Sequence, residues 1–425
     1  MEPSSWPSRA VVAAAAVVVA LALWGDLSRF ADPVGDKLVF YMRPGAADFI
    51  APYQGARMLL TGLDPYRDEA EALRDPWHRE LVVDGHRTSQ FYPPSHLLLL
   101  APFALVYGED FRAAGRAWLL VQLAVILGLA FVTARLARRA ARLPATMRPT
   151  LVLFCILALV LHGGVLLGLE RGQSDAVVAL LCWGAIALCL DDKLGRAAFL
   201  ATVALLIKAY PLILPLGIVA TARDRRQLTR ALGGVALALL LLLAPVARFV
   251  PDWLATVRAR VGTFHAAWYN ISFRSLTEQT TPSLAKPLAM AAVGLVLVAA
   301  LLSWLAARRA RDEGERALWL ALFAGSALAA PQSAPAVTYS YALVNLLPAA
   351  LVVALAQDAL VTRLRLGRRG RIEVPATILL MLTLFYALRV PGSAEFPLAP
   401  LGTLALASLT AMSAARSRRE AAGVS

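Results

Sequence analysis

Long apolar runs decide what this chain can become. Val11–Trp24, Leu119–Val132, Leu151–Leu161 and Val235–Val246 continue with almost no polar interruption, the pattern that helices embedded in a bilayer require. The composition agrees, with 59% hydrophobic and 16% charged residues and a mean hydropathy of +0.63. A soluble domain carries roughly 45–50% apolar and 25% charged residues, so this chain cannot hide its apolar surface in a water-soluble core. The expected fold class is an all-α polytopic membrane protein. A soluble Rossmann enzyme, a disordered regulator and a secreted disulfide scaffold are excluded. Cys155, Cys182 and Cys189 all lie in apolar segments. The last two are separated by about 10 Å of helix rise, too far for a disulfide, and all three read as small buried hydrophobes.

Charge orders the spans. The formal net charge is +14 and the pI is near 10.3. In a soluble protein that balance would suggest nucleic acid. In a polytopic one it marks the cytoplasmic loops, where Lys and Arg collect. Basic clusters occupy Arg135–Arg148, Lys193–Arg196, Arg223–Arg230, Arg308–Arg316, Arg363–Arg371 and Arg416–Arg419. If all are cytoplasmic, an even number of crossings separates each pair. Pro93–Gly108 is then read as a helix in or near the outer interface, broken up by Pro93, Pro94 and Pro102. Ala197–Ala220 is read as a hairpin of two short helices turning at Lys208-Ala209-Tyr210-Pro211. Such a turn is tolerated at membrane depth only beside protein or a water-filled cavity, so a cavity is expected above Lys208.

With both choices about twelve spans result, and the whole +14 excess falls on the inner side. Charge is topology here, and no nucleic-acid partner is implied. The expected layout is one transmembrane domain over 1–425 with both termini cytoplasmic. Its first span, at 10–25, reads as retained rather than as a cleaved signal peptide. A long outer segment follows at 26–110, then central spans over 112–360 with a second outer loop at 251–286, and two last spans within 373–415.

Polar chemistry concentrates in the outer segment Asp26–Asp110, which holds nearly half of the acidic residues. Within it Pro52–Thr61 reads as an amphipathic helix, started by Pro52, ended by Gly62 and striped by Ile50, Tyr53, Ala56 and Leu60. Asp48 falls just before that start, where the helix dipole favours a carboxylate; on pattern alone it reads equally as a helix cap. Lys208 has the strongest case from the residues alone, because an ionisable group inside a membrane is costly and by default functional. Its plainer alternative is an ammonium reaching to the interface. Arg171, Gln173 and Asp175 mark the outer mouth of a helix pair or a solvated loop. Arg57, about one and a half turns into the helix, is a phosphate contact or a headgroup-facing arginine.

Several of these residues fall into recurring motifs. Asp48-Phe49-Ile50 with Tyr53, Ala56 and Arg57, then Gly62-Leu63-Asp64-Pro65-Tyr66, resembles the first outer loop of glycosyltransferase family 87, polyprenyl-phosphate-sugar-dependent enzymes of the GT-C superfamily. Phe91-Tyr92-Pro93-Pro94, Gly172-Gln173-Ser174-Asp175 and Leu206-Ile207-Lys208-Ala209-Tyr210-Pro211 follow in order. Asn270-Ile271-Ser272, which also matches a glycosylation sequon, resembles the family's motif in the later outer loop. Pro331-Gln332-Ser333 leading to Tyr339-Ser340-Tyr341 resembles the motif before its tenth span. The resemblance covers roughly Asp48 to Pro348. One departure is that Tyr339 and Tyr341 stand where the family often has histidines, which loosens any inference about the acceptor.

The resemblance implies a GT-C-like fold with juxtamembrane helices in the first extracytoplasmic loop. It also implies a hexosyltransferase of the cell membrane, working at the outer face on the cell envelope. A hexose, mannose in the main reading, would pass from a polyprenyl-phosphate donor to a hydroxyl of a lipid or glycan acceptor. A single carboxylate suits direct displacement with inversion, whereas retention would need a second as nucleophile. Asp48 is then the catalytic base, and Lys208, Arg171, Gln173 and Arg57 are the donor-phosphate ligands. Tyr53, Asp64, Tyr66, Tyr92, Asp175, His265, Asn270, Gln332, Tyr339 and Tyr341 are candidate substrate contacts, Tyr66 and Tyr92 reading also as packing residues.

No Walker sequence or glycine-rich phosphate loop is present, and the five histidines show no metal spacing. Asp191-Asp192 reads as a solvated turn on the inner side. The expected enzyme is metal-independent and without cofactor. A transporter or lipid flippase is the alternative; it would usually show repeated halves with matched helix breaks, and only the break at Lys208–Pro211 is found.

Overall fold

The computed structural model describes residues 47–67, 92–160, 162, 164–165, 168–169, 172–260, 282–333 and 340–356. Among these the chain is all-helical, without a strand. In chain order the helices are α1 (Ala47–Leu60), α2 (Pro94–Tyr107), α3 (Phe111–Ala140), α4 (Arg148–Val160), α5 (Asp175–Leu190), α6 (Leu194–Ile207), α7 (Ile213–Ala220), α8 (Arg225–Ala238), α9 (Val250–Arg260), α10 (Ala285–Arg308), α11 (Glu313–Ser333) and α12 (Leu347–Leu355). Among the described residues three stretches are long and apolar enough to cross a membrane: Ala113–Ala140, Arg225–Arg258 and Lys286–Arg308. Leu120, Leu240 and Leu301 on them point outward, as lipid-facing side chains do. The helices α2, α5 and α6 are shorter apolar elements. The first span at 10–25 and the last two at 373–415 lie outside the described residues.

The residues divide into two compact units, one drawn from Asp32–Leu129 and Gly164–His265, the other from Met1–Ala31, Ala130–Gly163 and Ala266–Ser425. In the second, α10 packs along α11, which in turn meets α12. Arg139 pairs with Glu313 at 2.8 Å beside the α10–α11 turn, and a side chain at Gly314 would press on the Arg139 carbonyl.

In the first unit α5 and α6 pack antiparallel, and α7 returns along them. Two contacts fix that return. The Tyr210 hydroxyl donates to Asp175 at one end of α5, and Thr221 Oγ1 lies 3.6 Å from Cys189 Sγ at the other. The hairpin expected at Lys208 is therefore real. Lys208 itself is extended, with φ −142° and ψ 130°, and Pro211 follows in a 3₁₀ turn over Tyr210–Leu212. Proline cannot supply the N–H that a continuous helix would need there.

The helices α6 and α8 approach each other through two glycines. A Cβ on Gly234 would overlap the Gly195 carbonyl oxygen and come 3.1 Å from the Phe199 amide nitrogen. Neither obstacle is a flexible side chain, so the helices themselves would have to part. Gly234→Ala is expected to lower stability by about 1–3 kcal/mol despite its better helix propensity. Thermal unfolding in detergent checks this, and a stabilised variant would contradict the close approach.

Several boundaries differ from those read in the sequence. The first helix begins at Ala47, not Pro52, so Asp48 is its second residue rather than a flanking cap. Pro52 lies inside, where it has no N–H to give to the Asp48 carbonyl, a single lost bond near a helix start. Arg57 accordingly sits about two and a half turns beyond Asp48. Nor is the helix amphipathic over this stretch: residues 49–56 are buried on every side, and of the expected stripe only Leu60 is exposed. Pro102 does not break α2, which runs through it, and Pro94 occupies the first turn, where no N–H is needed. The outer loop expected at 251–286 begins as helix α9, for the same reason at Pro251. It is joined to α8 through a π-helical turn, Leu239–Leu243, and a 3₁₀ stretch, Ala244–Phe249. Asp191-Asp192 forms the expected tight turn, Asp192 with φ +55°.

Candidate active site

The open end of the α5–α6 hairpin gathers a cluster of polar side chains. A Schellman-type turn brings the chain to α5: Gly172 has φ +70°, Gly172 N–H bonds Leu169 O, and Gln173 N–H bonds Gly168 O. That conformation suits only glycine readily. The turn is pinned from α3, where the Trp118 indole N–H donates to Gly172 O at 2.9 Å and the Gln122 amide to Gln173 O at 2.6 Å. Asp175 then opens α5 in its first turn.

Lys208 meets this turn across the hairpin. Its ammonium lies 2.6 Å from Asp175 Oδ2 and 3.0 Å from Gln173 Oε1. The other Asp175 oxygen accepts from the Tyr210 hydroxyl at 3.1 Å. Gln173 turns its amide N–H toward the Tyr92 hydroxyl at 3.3 Å, and the Tyr92 ring lies 5.9 Å from the ammonium. The Tyr66 hydroxyl donates to the Tyr92 carbonyl at 2.8 Å, and the Tyr66 amide N–H donates to the Asp64 carboxylate. Burial, with the Asp64 charge adding to it, pushes the Tyr66 phenol upward, so it stays a neutral donor.

The cation was expected to stand alone and is instead ion-paired. A buried charge at this depth is tolerable only with a counter-charge and further hydrogen bonds, and Asp175, Gln173 and Tyr92 supply them. Gln173 has both amide atoms engaged within this cluster.

Two groups of sequence-predicted residues thus separate. Lys208, Gln173, Asp175, Tyr92, Tyr66 and Asp64 come together. Tyr53 and Arg57 make their described hydrogen bonds elsewhere, although Tyr66 and Tyr92 pack against the apolar cluster that holds Tyr53. The Tyr53 hydroxyl donates to Gly108 O at 2.9 Å, its phenol pushed up to about 12 by burial, and Arg57 reaches Gln54 and, at 3.4 Å, the exposed Glu109. The backbone of Asp48 lies next to Phe49, whose ring stacks 6.2 Å from Trp118, the residue that pins Gly172. Gln332 ends α11 and Tyr341 lies in the 3₁₀ turn Ser340–Asn345, both in the other unit. Arg171, His265, Asn270 and Tyr339 lie outside the described residues.

The structure adds residues that the sequence reading passed over. Ser95 Oγ donates to Leu206 O, and His96 Nδ1 lies 3.2 Å from Ile207 O, so α2 caps the carbonyl end of α6 just before Lys208. The His96 ring packs edge-on against Tyr92 at 4.5 Å. Ser95 and His96 are the polar residues opening an apolar run, and Gln122 is a lone amide within another. Both are signals of function at membrane depth.

Among the described residues, an all-helical chain with apolar spans and a paired lysine at the turn of a helical hairpin defines a class of membrane-embedded protein with a polar centre. A family model for glycosyltransferase family 87 matches residues 91–334, more than half of the chain, and the chain belongs to that family. It is therefore a glycosyltransferase. The match takes in Tyr92, the Gly172–Asp175 turn, Lys208, Asn270 and Gln332; Asp48, the Gly62–Tyr66 segment and Tyr339 to Tyr341 lie beyond it. No curated protein and no solved structure matches the chain.

Proposed function

We propose that this glycosyltransferase moves a hexose, mannose in the main reading, from a polyprenyl-phosphate donor to a hydroxyl of a lipid or glycan acceptor at the outer face of the cell membrane. Membership of a glycosyltransferase family favours this over a transporter or flippase. The observation that carries the donor assignment is Lys208, held at a helical turn within the family's matched segment, its side chain 15% exposed. A lipid-linked phosphate is the ligand whose charge and depth suit it.

In the proposed reaction the acceptor oxygen bonds to the anomeric carbon as the bond to the phosphate oxygen breaks. The acceptor proton passes to the Asp48 carboxylate, and the electron pair leaves with the polyprenyl phosphate, whose growing charge Lys208 stabilises. Arg57 and Arg171 are proposed as further phosphate ligands. Gln332, Tyr339, Tyr341, His265 and Asn270 are proposed as further substrate contacts. Inversion is supported by Asp175, which has both oxygens bonded and a side chain only 3% exposed. It is not placed to serve as a second, nucleophilic carboxylate. No metal or cofactor enters this scheme.

The test is transfer itself. Purified protein incubated with radiolabelled polyprenyl-phosphate mannose or glucose and a membrane-lipid extract is expected to yield labelled glycolipid or glycan. Transfer from a nucleotide sugar alone, and none from the lipid-linked donor, would overturn the donor assignment.

A further inference from the structure

The ammonium proposed to hold the donor's phosphate is already bound by an anion of the protein. Asp175 Oδ2 lies 2.6 Å from Lys208 Nζ, and Tyr210 holds the other oxygen. The carboxylate is withdrawn at 3% exposure, whereas the lysine side chain keeps 15%. Of the pair, the lysine side chain is thus the less buried and the carboxylate the more withdrawn.

We infer that Asp175 is an internal competitor for the phosphate, sharing Lys208 with the bound donor and reclaiming it when the lipid phosphate leaves. This rests on the reading of Lys208 given above. Asp175 acts only through Lys208 and is a positioning residue. The physical case starts from charge. Two anions on one ammonium repel, and in a poorly solvated site that repulsion is little screened. The donor is a phosphodiester with one negative charge. The product is a monoester carrying about −1.5 to −2 at neutral pH. An unopposed Lys208 would thus bind product more tightly than substrate and slow its own turnover. A carboxylate fixed behind the ammonium penalises the more highly charged ligand more, which favours release.

The geometry also says what survives without the charge. Gln173 Oε1 at 3.0 Å keeps an acceptor on Lys208, and an asparagine at 175 still offers an oxygen to Lys208 or Tyr210. Asp175→Asn therefore removes the competing charge while preserving most of the hydrogen bonding.

The experiment measures binding of a polyprenyl phosphate to the full-length protein in lipid nanodiscs, with polyprenol and inorganic phosphate in parallel. Asp175→Asn is expected to bind the lipid phosphate about tenfold more tightly than wild type, with lower kcat, and Lys208→Met about tenfold more weakly. The double variant should bind lipid phosphate no more weakly than Lys208→Met, since the Asp175 repulsion goes with its charge, but still more weakly than wild type, since no ammonium remains. Polyprenol binding should be the same in all of them. Free phosphate should follow the same order at much higher concentration.

Unchanged or weaker lipid-phosphate binding in Asp175→Asn, with Lys208→Met still impaired, would overturn the competitor role and leave the phosphate reading standing. Unchanged binding in Lys208→Met would overturn the phosphate reading itself. Equal tightening for polyprenol, or tightening for free phosphate alone, also defeats the assignment. If Asp175→Asn does not fold, Tyr210→Phe serves. Freed from that hydroxyl, the carboxylate holds Lys208 harder, and lipid phosphate should bind about two- to threefold more weakly. No change, or tightening, counts against the proposal.

Discussion

Asp48→Asn is expected to lower the rate of sugar transfer by roughly 10²–10⁴ while the lipid-linked donor still binds. Asparagine keeps the shape of the side chain and loses its capacity to take a proton. The backbone that presents it is well fixed. Asp48 is the second residue of α1, and the next residue, Phe49, is fully buried against Tyr53, Phe111 and Trp118. Trp118 in turn holds the Gly172 turn that leads to Asp175. The substitution also removes a negative charge from the first turn of a helix, worth about 0.3–1 kcal/mol of stability. A loss of that size cannot account for several orders of magnitude in rate, so unfolding and rate measured on one preparation separate the two effects. A variant that transfers sugar at close to the normal rate would make Asp48 a helix-start residue and place the base elsewhere.

How legible this was in the sequence depends on the kind of signal. The hairpin at Lys208 could be read locally, because a lysine and a proline interrupt an apolar run flanked by basic loops. Its ion pair could not. Asp175 is 33 residues away, and only the antiparallel packing of α5 on α6 brings the two together. The same holds for Ser95 and His96, which reach Leu206 and Ile207 across 111 residues. Prolines misled in a consistent way. Pro52, Pro102 and Pro251 all stand inside helices, and of these only Pro251 lies in a first turn, where the missing N–H costs little. The all-round burial of α1 was hidden for a related reason. The sequence shows a single apolar stripe, and the packing of α2 against α1 is a tertiary contact that no local pattern reveals. The apolar runs pointed to a membrane protein, and short motifs in the right order pointed to the family.

Lys208→Met is expected to lose donor affinity and turnover together, and stability with them. From the sequence alone, removing a charge from an apolar segment looks harmless to folding. The structure reverses that expectation, because methionine leaves Asp175 at 3% exposure with its cation gone. Breaking a buried pair by deleting one partner costs about 3–5 kcal/mol, since the other charge stays desolvated. Adding Asp175→Asn should recover most of the stability, as the orphaned charge is removed and Tyr210 keeps an acceptor. It should not recover transfer, because no cation remains to bind the phosphate or to stabilise it as it departs. Lys208→Arg should restore only part of the activity; a planar fork does not reproduce a compact ammonium seated between Asp175, Gln173 and the Tyr92 ring. Thermal unfolding in detergent and donor titration, run on the three variants, read stability and function independently. If the double variant regains both, the lysine is only a structural partner of Asp175. If it regains stability alone, the charge belongs to the reaction.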